Sequence, residues 1–176
     1  SVGLDSSDRL GLAAPSGFGK TTFCKILAGY EQPDEGQVLL DGKPLSEYKG
    51  YCPVQLIWQH PPEAVNPRRK MKTVLEEGGV LDERLIHGLG IEKEWMERYP
   101  GELSGGELQR FCIARALGEK TSFLLADEIT AMLDLITQSQ IWNFLLEEVR
   151  SREIGLLVVS HSEPLLQRIC TGRIQL

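Results

Sequence analysis

The chain has 176 residues, of which 41% are hydrophobic and 25% charged, and it carries a net charge of -6. That is one domain of ordinary size, long enough to bury a core, and its acidic balance argues against nucleic acid or anionic lipid as the main partner. No apolar run approaches the roughly 20 residues that span a bilayer and no signal peptide opens the chain, so a membrane role is expected to run through another protein.

Arg9-Leu10-Gly11-Leu12-Ala13 reads as a short buried strand, and Thr22 to Ala28 as a helix stopped by Gly29. Between them, Ala14-Pro15-Ser16-Gly17-Phe18-Gly19-Lys20-Thr21 fits G-x-x-x-x-G-K-[ST] except at its first position, Ala14. Strand, loop, helix is the setting this phosphate-binding pattern requires. Gly17 and Gly19 let backbone N–H groups wrap the α- and β-phosphates, Lys20 reaches the β- and γ-phosphates, and the Thr21 hydroxyl ligates Mg²⁺. Ser16, Phe18 and Thr22 belong to the same nucleotide-binding segment. Ala14 is expected to weaken binding without abolishing it, because the main donors lie after it.

Gln37 to Leu40, an Asp41-Gly42 turn and a strand ending at Gln59 come next. Residues 60–103 have little strand character. Met71 to Glu77 and Glu92 to Tyr99 are expected helices, with Pro61, Pro62, Pro67 and Pro100 as breakers.

Leu103-Ser104-Gly105-Gly106-Glu107-Leu108-Gln109-Arg110 follows. A glycine pair at the mouth of a helix costs about 1 kcal/mol per glycine relative to alanine, so a task beyond stability is expected of it. Bare N–H groups at a helix N-terminus make an anion site that side chains would obstruct. Ser104 and Glu107 also form a Ser-x-x-Glu capping box ahead of Leu108, Phe111, Cys112 and Ala116, and the two roles are compatible.

Phe123-Leu124-Leu125-Ala126 reads as a strand buried on both faces that delivers Asp127 and Glu128 to the carboxyl edge of a parallel sheet. Successive strand residues point oppositely, so different tasks are expected. Asp127 suits the outer sphere of Mg²⁺, and Glu128 a general base that polarises the attacking water. A helix from about Leu135 to Arg150, with Ile141, Leu145 and Val149 on one face, leads to a strand through Leu156-Leu157-Val158-Val159 that ends at Ser160. Alternating strands and helices imply an α/β fold with a mainly parallel sheet covered on both sides. Cys24, Cys52, Cys112 and Cys170 lack metal-ligand spacing and are expected to be reduced thiols.

In this order, and over essentially the whole chain, these motifs resemble the ATPase subunits of ABC transporters. The resemblance implies a P-loop NTPase core, about residues 1–59 and 104–176, with an inserted α-helical subdomain, about 60–103, that carries LSGGE at its end. It also implies ATP and Mg²⁺ as cofactors. Gln59 matches the glutamine loop that contacts Mg²⁺ and the attacking water, His161 the switch histidine at the γ-phosphate, and Asp134 the loop coupling two sites of a dimer. Lys20, Gln59, Glu128 and His161 are then the catalytic set, and Thr21, Gln59 and Asp127 the metal set. Ser104, Gly105, Gly106 and Glu107 would close on the nucleotide of a second ATPase domain, either an identical copy or a paralogue.

Gln59 to Arg68, with its Asn66-Pro67 pair, and Asp127 to Asp134 are similar to importers of oligopeptides, dipeptides and nickel. The resemblance implies permease subunits and, indirectly, a solute-binding protein as partners, no nucleic acid, and a cytoplasmic position on the inner face of the membrane. Against that resemblance, the strands that usually precede the phosphate loop and carry an adenine-stacking aromatic are expected to be short or missing in this sequence, and no adenine-stacking residue is assigned. The alternatives are an ABC-type ATPase acting on nucleic acid or ribosomes without a permease, and a non-hydrolysing ATP-binding partner subunit.

Overall fold

The structure is a computed structural model that describes residues 2–13, 17–80 and 82–174. Five strands form one sheet: β1 (Arg9–Leu12), β4 (Val54–Ile57), β5 (Phe123–Asp127), β6 (Gly155–Val159) and β7 (Gly172–Ile174), in the order β4-β5-β6-β1-β7. Every pairing in it is parallel. The sheet is therefore crossed by helices on its faces, as parallel connections require.

Alternate strand residues feed two apolar clusters, one on each face. Leu124, Ala126, Leu156 and Val158 point into the larger cluster, and Leu125, Leu157 and Val159 into the other. The smaller cluster is covered by α1 (Lys20–Leu27) through Cys24. The larger is covered by α5 (Gly105–Ala116) and α6 (Leu135–Ser151), where Ile141, Leu145 and Val149 are buried as the spacing predicts. Met71, Val74, Leu75, Leu85 and Leu89, from the segment 60–103, join this larger cluster. The four cysteines are free thiols, and burial together with the nearby Asp127 charge pushes Cys24 up to about 12.

Several elements differ from the sequence reading. Within Gln37–Leu40 a two-residue strand forms, β2 (Leu39–Leu40), which pairs antiparallel with β3 (Lys43–Pro44). Asp41 (φ 52°) and Gly42 (φ 76°) make the expected turn, and Pro44, having no N–H, ends the ladder at once. Instead of breaking structure, Pro61 and Pro62 open a short helix, α2 (Pro61–Ala64). The first helical positions lack N–H partners in any case, and proline fixes their φ in advance. Met71–Glu77 is helical (α3) as expected. Glu92–Tyr99 is only a 3₁₀ turn over Lys93–Glu97, with Arg98 and Tyr99 extended, and Pro100 disfavours helical backbone at the residue before it.

The pattern gave no signal for α4 (Glu83–Gly88), capped by the Asp82 side chain accepting from the Arg84 N–H, nor for α7 (Glu163–Ile169) or β7. All three are shorter than the window in which periodicity shows. α4 lies against α6: Arg84 grips the fully buried Glu148 carboxylate with both guanidinium nitrogens, Nη2 at 3.0 Å from Oε2. A side chain at Gly88 would run into the Phe144 ring. Gly88→Ala is accordingly expected to destabilise the chain by about 1–3 kcal/mol, the usual cost of overpacking, measured as a lower midpoint in denaturant at unchanged slope.

Candidate active site

Across the three central strands, Leu12 of β1, Val159 of β6 and Asp127 of β5 lie in one row of the register. The chain leaves all three strands at the same edge, so the phosphate loop, Glu128 and His161 emerge side by side. This is where open parallel sheets bind ligands. Main-chain bonding runs one residue further, with the Glu128 N–H donating to the Val159 carbonyl at 3.0 Å and the Ser160 N–H to the Leu12 carbonyl at 3.4 Å.

On the β1 side, Gly17 (φ 83°) and Gly19 (φ 75°) both have left-handed backbone, and Gly19 is the N-cap of α1, where it has no side chain to cap the helix. Left-handed geometry here selects glycine, and the exposed first turn behind it is a ready anion site. Lys20 opens α1 and is buried, whereas Thr21 and Thr22 are exposed, and Phe18 is 63% exposed. Ala14 and Ser16 lie outside the described residues.

The two acids divide as their chemistry suggests, by a route the strand argument missed. Asp127 is the last residue of β5 and is buried, and its Oδ2 accepts from the Thr21 hydroxyl at 2.7 Å. Glu128 is not a strand residue: its φ is 51°, and this left-handed step, uncommon for any residue but glycine, swings its side chain away from the line of the strand. Glu128 Oε1 lies 3.5 Å from His161 Nε2, buried and without a hydrogen bond. Burial, foremost, raises the Glu128 pKa. The His161 charge and main chain pull it back, Asp127 adds to the rise and Lys20 opposes it. His161 stands just past β6 and is exposed.

This arrangement fits Mg²⁺ and a nucleoside triphosphate. The Thr21 hydroxyl donates its proton to Asp127 and so turns its lone pairs outward to a cation. The unsatisfied Glu128 oxygen, kept basic by its surroundings, can accept a proton from water. The strand expected to end at Gln59 ends at Ile57, and Gln59 is partly buried in a bend two residues past it.

Ser104 to Glu107 form a separate group. The Ser104 hydroxyl accepts from the Glu107 N–H at 3.3 Å and the Glu107 carboxylate from the Ser104 N–H at 2.7 Å. These bonds hold Glu107 below the usual carboxylate range. The capping box is real, and it leaves the Gly105 and Gly106 N–H groups bare at the start of α5. Gly106 faces Leu133, beside Asp134, whose carboxylate caps α6 by accepting from Ile136 and Thr137. Those two bonds, Thr137 first, lower the Asp134 pKa.

The sequence reading missed two participants in this region. Leu133, against Gly106, carries no local signal beyond its place before Asp134. Gln109 is buried on α5, and a polar residue three before Cys112 on a core-facing helix is a signal that the sequence offers.

A parallel sheet with a phosphate loop after its first strand and a paired acid after a central one defines a P-loop ATPase. The ABC transporter family model matches residues 1–131, and the chain belongs to that family as an ATP-binding ATPase subunit, near its nickel and peptide importer branch. The nickel import ATP-binding protein NikE of Rhodospirillum rubrum is 33% identical, over 96% of this chain and 68% of its own length. The glutathione import ATP-binding protein GsiA of Pectobacterium atrosepticum is also 33% identical, over 96% of this chain but 30% of its own length. Among solved structures, the ATP-binding cassette MJ0796, in a dimeric post-hydrolysis state bound to ADP and Pi, superposes with a TM-score of 0.83 at 20% identity, covering 99% of this chain and 86% of that one.

Proposed function

We propose that two such domains sandwich two ATP molecules and that hydrolysis drives import of nickel, a peptide or a related small solute through a membrane permease. The observation that carries this reading is the separation of the site into two surfaces. Thr21 meets Asp127 and His161 meets Glu128 at the sheet edge, while the bare N-terminus of α5 lies against Leu133 and, among the described residues, shares no hydrogen bond or ion pair with those four. Around that second surface, Met132, Leu135 and Ile136 are 72%, 82% and 73% exposed. Three large apolar residues so close together and uncovered mark an association face, and a second ATPase domain seated there would bring its nucleotide to Gly105 and Gly106.

In this mechanism the phosphates lie along the N–H groups from Gly17 to Thr22 with Lys20, and Ser104 and Gly106 of the second domain close from the other side. Thr21 and Gln59, with Asp127 behind them, would hold Mg²⁺, which would neutralise phosphate charge. Glu128 takes a proton from the attacking water as it reaches the γ-phosphate, and His161, 3.5 Å from Glu128, orients that pair. Asp134, next to Leu133 at the second surface, couples the two sites of the dimer. Residues 60–103 form the helical subdomain that transmits opening and closing to the permease. No helix among the described residues is long and apolar enough to cross a membrane, and in this reading the chain sits on the permease's cytoplasmic side as an import ATP-binding subunit. The importer reading rests on the Asn66-Pro67 segment and on relatives named for nickel and glutathione import.

The test is light scattering on the Glu128→Gln chain with Mg²⁺. ATP is expected to shift monomer to dimer and ADP is not. Bound ATP without any shift would refute association between identical copies.

A further inference from the structure

Gln109 is a buried amide to which the mechanism above gives no task. It is 3% exposed, five residues past Ser104 on α5. Its Nε2 donates to the Trp58 carbonyl at 3.4 Å. That carbonyl can only accept, which fixes the amide's orientation, and Oε1 is left buried with no hydrogen-bond partner. An unpaired buried acceptor is costly, and methionine would fill similar space without that cost.

The surroundings give this placement a direction. α5 also holds Leu89 at the end of α4 through Arg110 (2.5 Å) and Ala64 of α2 through Arg115 (2.6 Å), and both acceptors are carbonyls. Gln109 instead reaches the residue immediately before Gln59. The Trp58 ring is held as well: the Tyr30 ring meets it edge-on with centroids 5.2 Å apart, and the Lys25 ammonium lies 5.3 Å from its centroid. Lys25 belongs to α1 and Tyr30 follows it closely. Trp58 is therefore bracketed, its ring by the phosphate-loop helix and its carbonyl by the helix that begins at Ser104-Gly105-Gly106.

We infer that Gln109 is a positioning residue that carries the state of the Gln59 segment to the first turn of α5, so that nucleotide at one site sets how ready Ser104 and Gly106 are to complete the other. The inference rests on the proposed function, in which Gln59 and Ser104 serve different nucleotides. The spare Oε1 is the second bonding position: when Gln59 engages its nucleotide, a main-chain N–H of the shifting segment takes it up. The amide thus has one partner before and two after.

The experiment is hydrogen exchange on the full chain carrying Glu128→Gln, with and without Mg²⁺-ATP, compared with the same chain also carrying Gln109→Met. In the parent, ATP is expected to slow exchange both at 17–22 and at 104–108, the latter by at least about fivefold, the low end of ordinary site-to-site coupling. With Gln109→Met, protection at 17–22 persists and the response at 104–108 is lost. Gln109→Glu keeps the size and an acceptor, and at a pH high enough to ionise this buried carboxyl it cannot donate to Trp58 and is expected to lose the response too. An intact response at 104–108 in both variants would reduce Gln109 to packing, and a parent that responds at 17–22 but not at 104–108 would overturn the coupling. No protection at 17–22 in the parent would instead sink the ATP-site reading, and this inference with it.

Discussion

Glu128→Gln is expected to lower the rate of ATP hydrolysis by about a hundredfold to ten-thousandfold, the range supplied by a positioned general base, while Mg²⁺-ATP affinity stays nearly unchanged. The substitution keeps the size and the hydrogen-bonding reach of the side chain but removes the lone pair that accepts water's proton. The groups that hold phosphate, Lys20 and Thr21, are untouched, and the Thr21–Asp127 bond at 2.7 Å does not involve Glu128. The pH profile adds a second test. Burial raises the Glu128 pKa, so as pH falls the carboxyl is protonated, and loses its capacity as a base, sooner than an ordinary glutamate would. Turnover in the wild-type chain should therefore decline on the acid side at a higher pH than the usual glutamate value, and the residual activity of the Gln variant should lack that decline. Equal loss of ATP binding and turnover would assign Glu128 to the nucleotide pocket instead of to the chemistry.

What the sequence made legible, and what it hid, follows from how far apart the interacting residues lie. The phosphate loop, the acid pair and the glycine pair are local patterns whose spacing states their chemistry, and each sits at the helix mouth or strand end that its pattern requires. The central strands were legible because burial on both faces leaves an apolar run, as in Phe123-Leu124-Leu125-Ala126. The alternation argument failed at Glu128, because a left-handed residue ends the strand's alternation and nothing local in Ala126-Asp127-Glu128 announces it. The short helices α2, α4 and α7 were hidden for a different reason: one or two turns are stabilised by tertiary packing, not by propensity, and the Arg84–Glu148 grip that seats α4 spans 64 positions of sequence. The Gln109–Trp58 contact spans 51. A single sequence contains both partners but no sign that they meet.

Gly106→Asp is expected to reduce ATP-dependent association and turnover by at least about a hundredfold while leaving the isolated chain as stable as before or slightly more so. The two effects have opposite signs because the helix and the site ask different things of this position. For the helix, replacing glycine recovers up to about 1 kcal/mol of propensity, and an acid in the first turn gains a further 0.3–1 kcal/mol or so from the dipole. Against this stands one close approach, since a Cβ there would lie 3.0 Å from a Leu133 methyl, the movable end of a flexible side chain. For the site, the carboxylate occupies the space and the charge meant for phosphate. Loss of one well-placed oxyanion donor costs about 10²–10³ in rate, and a repelling anion costs no less. Thermal unfolding, ATP affinity of the single chain and light scattering with the Glu128→Gln background separate the terms. A melting temperature at or above the parent's, with ATP still bound and no dimer, would show that the glycine pair is kept for the partner's phosphate and not for the helix it begins. Full association in Gly106→Asp would place the second nucleotide elsewhere and reduce Ser104-Gly105-Gly106-Glu107 to a capping box.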